Sequence, residues 1–140
     1  MIVIMVREVM TRAVLTIGPE TPCDKARRLM DEQRIRHLPV VARGRLVGIV
    51  SDRDVGSAAV QSSGAIAGRI MTPDPVTVTP EMRVEQAAQL MLDGRFGALP
   101  VADGNALVGI VTYTDLLRAF VRVIETATEE RIAVDFSGGR

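Results

Sequence analysis

Apolar and polar positions along the chain follow two rhythms, and each rhythm occurs twice. Residues 46–50 and 107–111 are apolar runs interrupted only by Gly48 and Gly109. Their β-branched side chains stiffen them as strands, and the glycine lets another backbone, or a flat ligand, come close. Residues 38–41 and 99–101 predict the strand before each run. Ala42-Arg-Gly-Arg45 and the stretch from Ala102 to Ala106 supply hairpin connections, because Gly and Asn tolerate positive φ. Upstream of each hairpin the spacing becomes helical. Ala26, Leu29 and Met30 share one face with Arg27, Arg28, Asp31 and Glu32 outside it, and Val84, Ala87, Leu90 and Met91 repeat that stripe. Thr21 reads as the cap of the first helix, with Pro22 at its first helical position. Gly94 reads as the end of the second. Short β-branched segments at 14–17 and 76–79 predict a strand ahead of each helix.

Sliding the chain on itself by ~61 positions aligns residues 9–55 with 70–116 without a gap, and about 18 of those ~47 pairs are identical. Each unit reads strand, helix, strand, strand, helix. The expected fold is α/β (α+β-like). It holds two β-α-β-β-α repeats packed sheet to sheet with pseudo-twofold symmetry, because a unit this small leaves one sheet face apolar. The seam between them should leave a cleft at either end. The expected organisation is a first repeat at 7–58 and a small, polar linker at 59–69. A second repeat with a C-terminal helix follows at 70–131, then a tail at 132–140 that frays at Ser137-Gly-Gly-Arg140. Phe120 and Val121 on the last helix face either a partner subunit or the parent repeat.

Each glycine-bearing run ends in a hydroxyl residue with an aspartate three positions later: Ser51 and Asp54, Thr112 and Asp115. As helix starts, the hydroxyl caps free N–H groups and the acid sits where the helix dipole favours it. As ligand groups, a hydroxyl and a carboxylate facing one cleft bind a vicinal diol such as a ribose. Two copies at equivalent positions of a repeat favour the second reading.

Composition narrows the function classes. Lys plus Arg and Asp plus Glu are both 17, so net charge is zero and nucleic-acid binding, which draws on excess positive charge, is disfavoured. Three Phe and one Tyr offer no stacking platform for bases. A single Cys, Cys23, forms no internal disulfide and suits a reducing cytoplasm. One His, one Cys and one Tyr make no nucleophile–base–orienter set, and neither a Walker loop nor a metal-ligand cluster is present, so neither catalysis nor a metal site is expected. The apolar opening meets Arg7-Glu8 too soon for a signal peptide or a membrane span.

The element order, the Met10-Thr11 and Met71-Thr72 starts, the Leu38-Pro39-Val40 and Leu99-Pro100-Val101 strands and the Gly-x-x-Ser/Thr-x-x-Asp endings resemble a tandem cystathionine β-synthase (CBS) domain pair, or Bateman module. The resemblance spans about residues 7–120, which leaves no separate catalytic domain. It implies a stand-alone regulatory sensor that requires no cofactor. Such a module binds adenosine-containing ligands (AMP, ADP, ATP or S-adenosylmethionine) in clefts between the repeats and passes occupancy to a homodimer or a regulated partner protein. By that resemblance Ser51 and Asp54 hold ribose in one cleft, and Thr112 and Asp115 hold it in the other. The segments Val14–Thr16 and Val76–Val78 (Val14, Thr16, Val76 and Val78 among them), with backbone near Leu38, Pro39, Leu99 and Pro100, hold the adenine. Apolar walls with a few polar anchors suit a flat base. The alternative is a dimerising interaction scaffold with vestigial sites.

The repeats differ in charge. The first aligned segment carries about nine basic and six acidic residues, the second about two and six. Arg36 and His37 stand where the second repeat has Gly97 and Ala98, and Arg53 where it has Thr114. These three are candidate phosphate contacts or a solvated surface. On the former reading the two clefts are unequal.

Overall fold

Both apolar hairpins form at the expected places. The structure, a computed structural model, describes the backbone of residues 2–138 and the side chains of residues 2–131. Its elements are α1 (Val6–Val9), α2 (Cys23–Gln33), β1 (His37–Ala42), β2 (Arg45–Ser51), α3 (Asp52–Gly56) and α4 (Ala58–Ser63), then α5 (Ala67–Ile70), β3 (Thr72–Pro73), α6 (Val84–Gly94), β4 (Ala98–Asp103), β5 (Ala106–Thr112) and α7 (Tyr113–Gly138). β1, β2 and β3 make one antiparallel sheet and β4 and β5 another. Of the expected frayed end, Gly139 and Arg140 lie outside the described residues. The sequence is thus mixed α/β in two equivalent halves.

The strands expected at 14–17 and 76–79 shrink to one bridging residue each. Ile17 pairs in parallel with Val40, its N–H donating to Pro39 O at 3.1 Å and its carbonyl accepting from Val41 N at 2.8 Å. Val78 does the same on the second sheet, with 3.0 Å to Pro100 O and 2.9 Å from Ala102 N. Pro19 and Pro80 follow two residues later and have no N–H to extend either ladder. β-propensity without a partner strand does not make a strand.

The two halves also trade their leading segments. Thr11 pairs with Ile110 of β5, exchanging hydrogen bonds of 2.9 and 3.0 Å. Thr72 of β3 pairs with Ile49 of β2. A shift of ~61 residues turns one pairing into the other, so each Met-Thr segment closes the sheet of the opposite repeat. α1 docks on the second repeat, where Val6 N donates to Met82 O at 2.8 Å and Val84 N to Ile4 O at 2.9 Å. α5 docks on the first, where Ala67 N donates to Thr21 O and Gly68 N to Pro19 O, both at 2.8 Å. The cores follow the trade. Ala67 joins Ile17, Cys23, Met30, Leu38 and Val50, and Val6 and Met10 join Val78, Met91, Leu99 and Val111.

This docking moves the start of α2. Cys23 N donates to Ala65 O at 2.9 Å, Pro22 is the N-cap, and the Thr21 hydroxyl accepts from Gly18 N at 3.2 Å instead of capping the helix. At the far ends of α2 and α6 the left-handed turn falls on Arg34 (φ 54) and Arg95 (φ 56), not on Gly94. Within the small, polar stretch, Ser57 closes α3 and caps α4, and Gly64 at φ 70 ends it.

Candidate functional site

Both hydroxyl–carboxylate quartets form the local structure that a helix start requires. Ser51 N donates to Asp54 Oδ2 at 2.8 Å while Asp54 N donates to Ser51 Oγ at 3.2 Å, a reciprocal capping box at the head of α3. In the second repeat Asp115 Oδ2 accepts from Thr112 N at 2.9 Å and from the Thr112 hydroxyl at 3.3 Å. Asp115 is 4% exposed, the one buried charged side chain among the described residues, and its Oδ1 lies 3.9 Å from the Arg118 guanidinium. A buried carboxylate needs such donors to offset lost hydration. Asp54 is half-buried, and its Oδ1 takes no hydrogen bond among the described residues. Neither aspartate therefore turns away into bulk water.

The strand register sets each quartet opposite the start of its own hairpin. His37 opens β1 opposite Ser51, and Ala98 opens β4 opposite Thr112. The His37 ring crosses the seam: its Cε1 and Nε2 lie 2.9 Å from where a side chain on Gly97 would begin, and the Tyr113 ring lies 3.7 Å from that point. His37 of one repeat thus meets Gly97 of the other across the seam. The second repeat has Ala98 at the equivalent position and provides no counterpart to this imidazole.

The remaining candidates divide by exposure. Arg36 and Arg53 are exposed, and the Arg36 carbonyl accepts from Asp52 N at 2.8 Å. Leu38, Pro39, Leu99 and Pro100 are buried, so only their backbones can face a ligand. Two of those backbones are engaged, since Pro39 O and Pro100 O hold the bridges to Ile17 and Val78. Val78 is 1% exposed inside the second core and Val14 is half-buried, whereas Thr16 and Val76 are exposed. The exposed apolar pair ahead of the bridges is Leu15 and Val76, which a shift of ~61 places in register. Leu15 lies within the segment expected to face the base, whereas the sequence reading did not single out Tyr113, which only the contact across the seam reveals.

Burial pushes the His37 imidazole below its ordinary range; Asp52 and Asp54 oppose that and Arg36 adds to it. A histidine whose folded-state pKa is depressed contributes stability in full above its unfolded pKa and loses it as pH falls through the folded value. Lowering pH from 7.5 to 5 should therefore reduce Tm more in the wild type than in His37→Gln. Parallel pH profiles for the two proteins would remove that role.

The CBS domain model matches residues 6–60 and 67–122, so the chain belongs to the CBS domain family. It is 34% identical over 114 residues to CBS domain-containing protein YhcV of Bacillus subtilis, covering 79% of this chain and 81% of that one. It is 38% identical over 120 residues to an inosine-5'-monophosphate dehydrogenase of Korarchaeum cryptofilum, covering 85% of this chain but only 25% of the dehydrogenase. Among solved structures, CBSX2 of Arabidopsis thaliana in complex with AMP superposes with a TM-score of 0.76 at 32% identity, over 85% of this chain and 97% of that one. The CBS domain pair of MJ0100, in complex with 5-methylthioadenosine and S-adenosyl-L-methionine, gives 0.79 at 28% identity over 85% and 97%.

Proposed function

We propose that this chain is a regulatory module that binds an adenosine-containing ligand (AMP, ADP, ATP or S-adenosylmethionine) between its repeats and passes occupancy to a homodimer or a regulated partner. The observation that carries the reading is the contact across the seam between His37, which pairs with Ser51 in the first hairpin, and Gly97, the neighbour of the residue that pairs with Thr112 in the second. A helix start alone has no need of that contact. The adenosyl ligands of the two related structures support it. Ribose hydroxyls donate to Asp54 and Asp115, the base lies against Leu15 or Val76, and phosphates lie toward Arg36, His37 and Arg53. Thr16 and backbone near Leu38 and Leu99 border the base. The working unit is the repeat at 7–58 and the repeat at 70–131, joined through 59–69. Occupancy acts by population shift, since a ligand touching both halves favours one packing of them.

The module catalyses no reaction of its own on this reading and needs no metal. Among the described residues no group of three His, Cys, Asp or Glu stands close enough to hold an ion. No helix there is long and apolar enough to cross a membrane. We place it in a reducing compartment, the cytoplasm, although a relative in Arabidopsis thaliana, CBSX1, is chloroplastic.

Thermal unfolding with AMP, ADP, ATP and S-adenosylmethionine tests the ligand reading. A ligand at a thousandfold its Kd adds about 4 kcal/mol, which raises Tm by several degrees for a chain of this size. A flat response to all four compounds would favour the second reading, a dimerising scaffold with vestigial sites. That reading draws on the completeness of both helix starts without any ligand.

A further inference from the structure

His37 is the single histidine of the chain, and packing across the seam holds its ring. Only a glycine at position 97 leaves room for it, because a side chain there would begin 2.9 Å from Cε1 and Nε2. The Tyr113 ring closes the other side of that contact, 3.7 Å from the same point. The ring is half-buried, and neither of its nitrogens makes a hydrogen bond among the described residues. Neither nitrogen is a sealed, orphaned polar atom either, so a ligand can reach them. The imidazole is therefore placed by shape and left free to donate or accept.

The groups around it pull its charge in opposite directions. Burial, the largest influence, favours the neutral ring, Asp52 and Asp54 on α3 favour the charged one, and Arg36 sides with burial. Across the seam stand the Tyr113 ring and the bare backbone of Gly97, neither of which supplies an anion. Without ligand the ring is neutral at pH 7. An anion arriving beside it supplies the opposite charge that favours the imidazolium, and the charged ring donates from both nitrogens.

We propose that His37 makes this module select among adenosyl ligands by charge: when a phosphate-bearing ligand enters, the imidazole takes up one proton from solvent and donates it in a hydrogen bond to a phosphate oxygen. A ligand without phosphate leaves the ring neutral. The inference rests on the adenosyl-ligand reading and adds to it a dependence on pH. A ligand that raises the pKa of His37 binds more tightly as pH falls through the raised value. The gain levels off below the ligand-free value, which burial holds under the ordinary 6.5. A rise of about one pH unit corresponds to about tenfold in affinity.

AMP and adenosine, added to the full chain, are the probes that test it. With one histidine present, NMR titration of the imidazole ring carbons reports His37 without ambiguity. Its midpoint is expected to rise by about one pH unit on saturation with AMP and to stay in place with adenosine. Calorimetric titration gives the ratio of AMP to adenosine affinity. Between pH 8 and pH 5 that ratio should grow about tenfold more in the wild type than in His37→Gln, where only the AMP phosphate itself titrates. A midpoint that AMP leaves in place, or ratios that change alike in the two proteins, would overturn the proposal. If neither compound binds at any pH, the adenosyl-ligand reading falls and takes this inference with it. Binding of AMP without proton uptake at His37 overturns the inference alone.

Discussion

Gly109→Val is expected to lower stability by about 3 kcal/mol, or roughly 10 °C in Tm for a chain of this length. A Cβ at Gly109 would lie 2.7 Å from Met10 Sδ and 3.0 Å from the Thr11 carbonyl oxygen. The thioether can swing aside, but that oxygen cannot: it accepts from Ile110 N at 3.0 Å in the bridge that holds the leading segment of the first repeat to the second sheet. Valine adds two further methyl groups at this crossing. Its equivalent, Gly48, meets the Thr72 carbonyl oxygen at 3.0 Å and the Met71 side chain, so Gly48→Val should behave alike. Gly104→Ala is the control. Gly104 has φ +63 and nothing within 4 Å, so it bears only the left-handed backbone penalty, about 1 kcal/mol. Urea denaturation of the three variants measures the difference. If Gly109→Val melts within a degree or two of Gly104→Ala, the exchanged segments contribute little to holding the halves together.

That exchange was not legible in the sequence, although the repeat that makes it possible was. Hairpins, helices and the ~61-residue displacement are written in local periodicity, period 2 against period 3.6, and residues 38–50 and 99–111 carry the first plainly. Choice of partner is not local. Met10-Thr11 faces two edges of nearly identical chemistry, the run around Gly48 and the run around Gly109, and nothing in its own residues says which it joins. The short strands were read too long for a related reason, since Leu15 and Thr16 have strand propensity but no neighbour to pair with. The quartets were legible as chemistry and their positions as a pair. The contact across the seam is another matter, since His37 reaches Gly97, a residue ~60 positions away, and no spacing rule encodes that. The sequence does not say whether the outer face of α7 meets a partner or the parent repeat, because Leu116 and Ala119 supply the inward apolar face on their own.

Asp54→Asn and Asp115→Asn should leave stability nearly intact while weakening adenosyl-ligand binding about 10- to 100-fold. The substitution separates the two roles these residues can hold. An asparagine amide oxygen still accepts the N–H of Ser51 or Thr112, which Asp54 and Asp115 accept at 2.8 and 2.9 Å, so the helix start survives. For Asp115 the neutral side chain escapes the cost of burying a charge at 4% exposure, which offsets the loss of the Arg118 contact at 3.9 Å. A ribose edge asks for more. Its two hydroxyls each donate, and a carboxylate offers two charged acceptors where an amide offers one neutral acceptor. Hydrogen bonds to a charged group contribute about 1.5–3 kcal/mol each, which sets the size of the expected loss. Calorimetric titration of AMP or S-adenosylmethionine into each variant, beside its thermal melt, reads both quantities. Variants that melt several degrees lower yet bind as tightly as the wild type would make the two aspartates helix starters and nothing more.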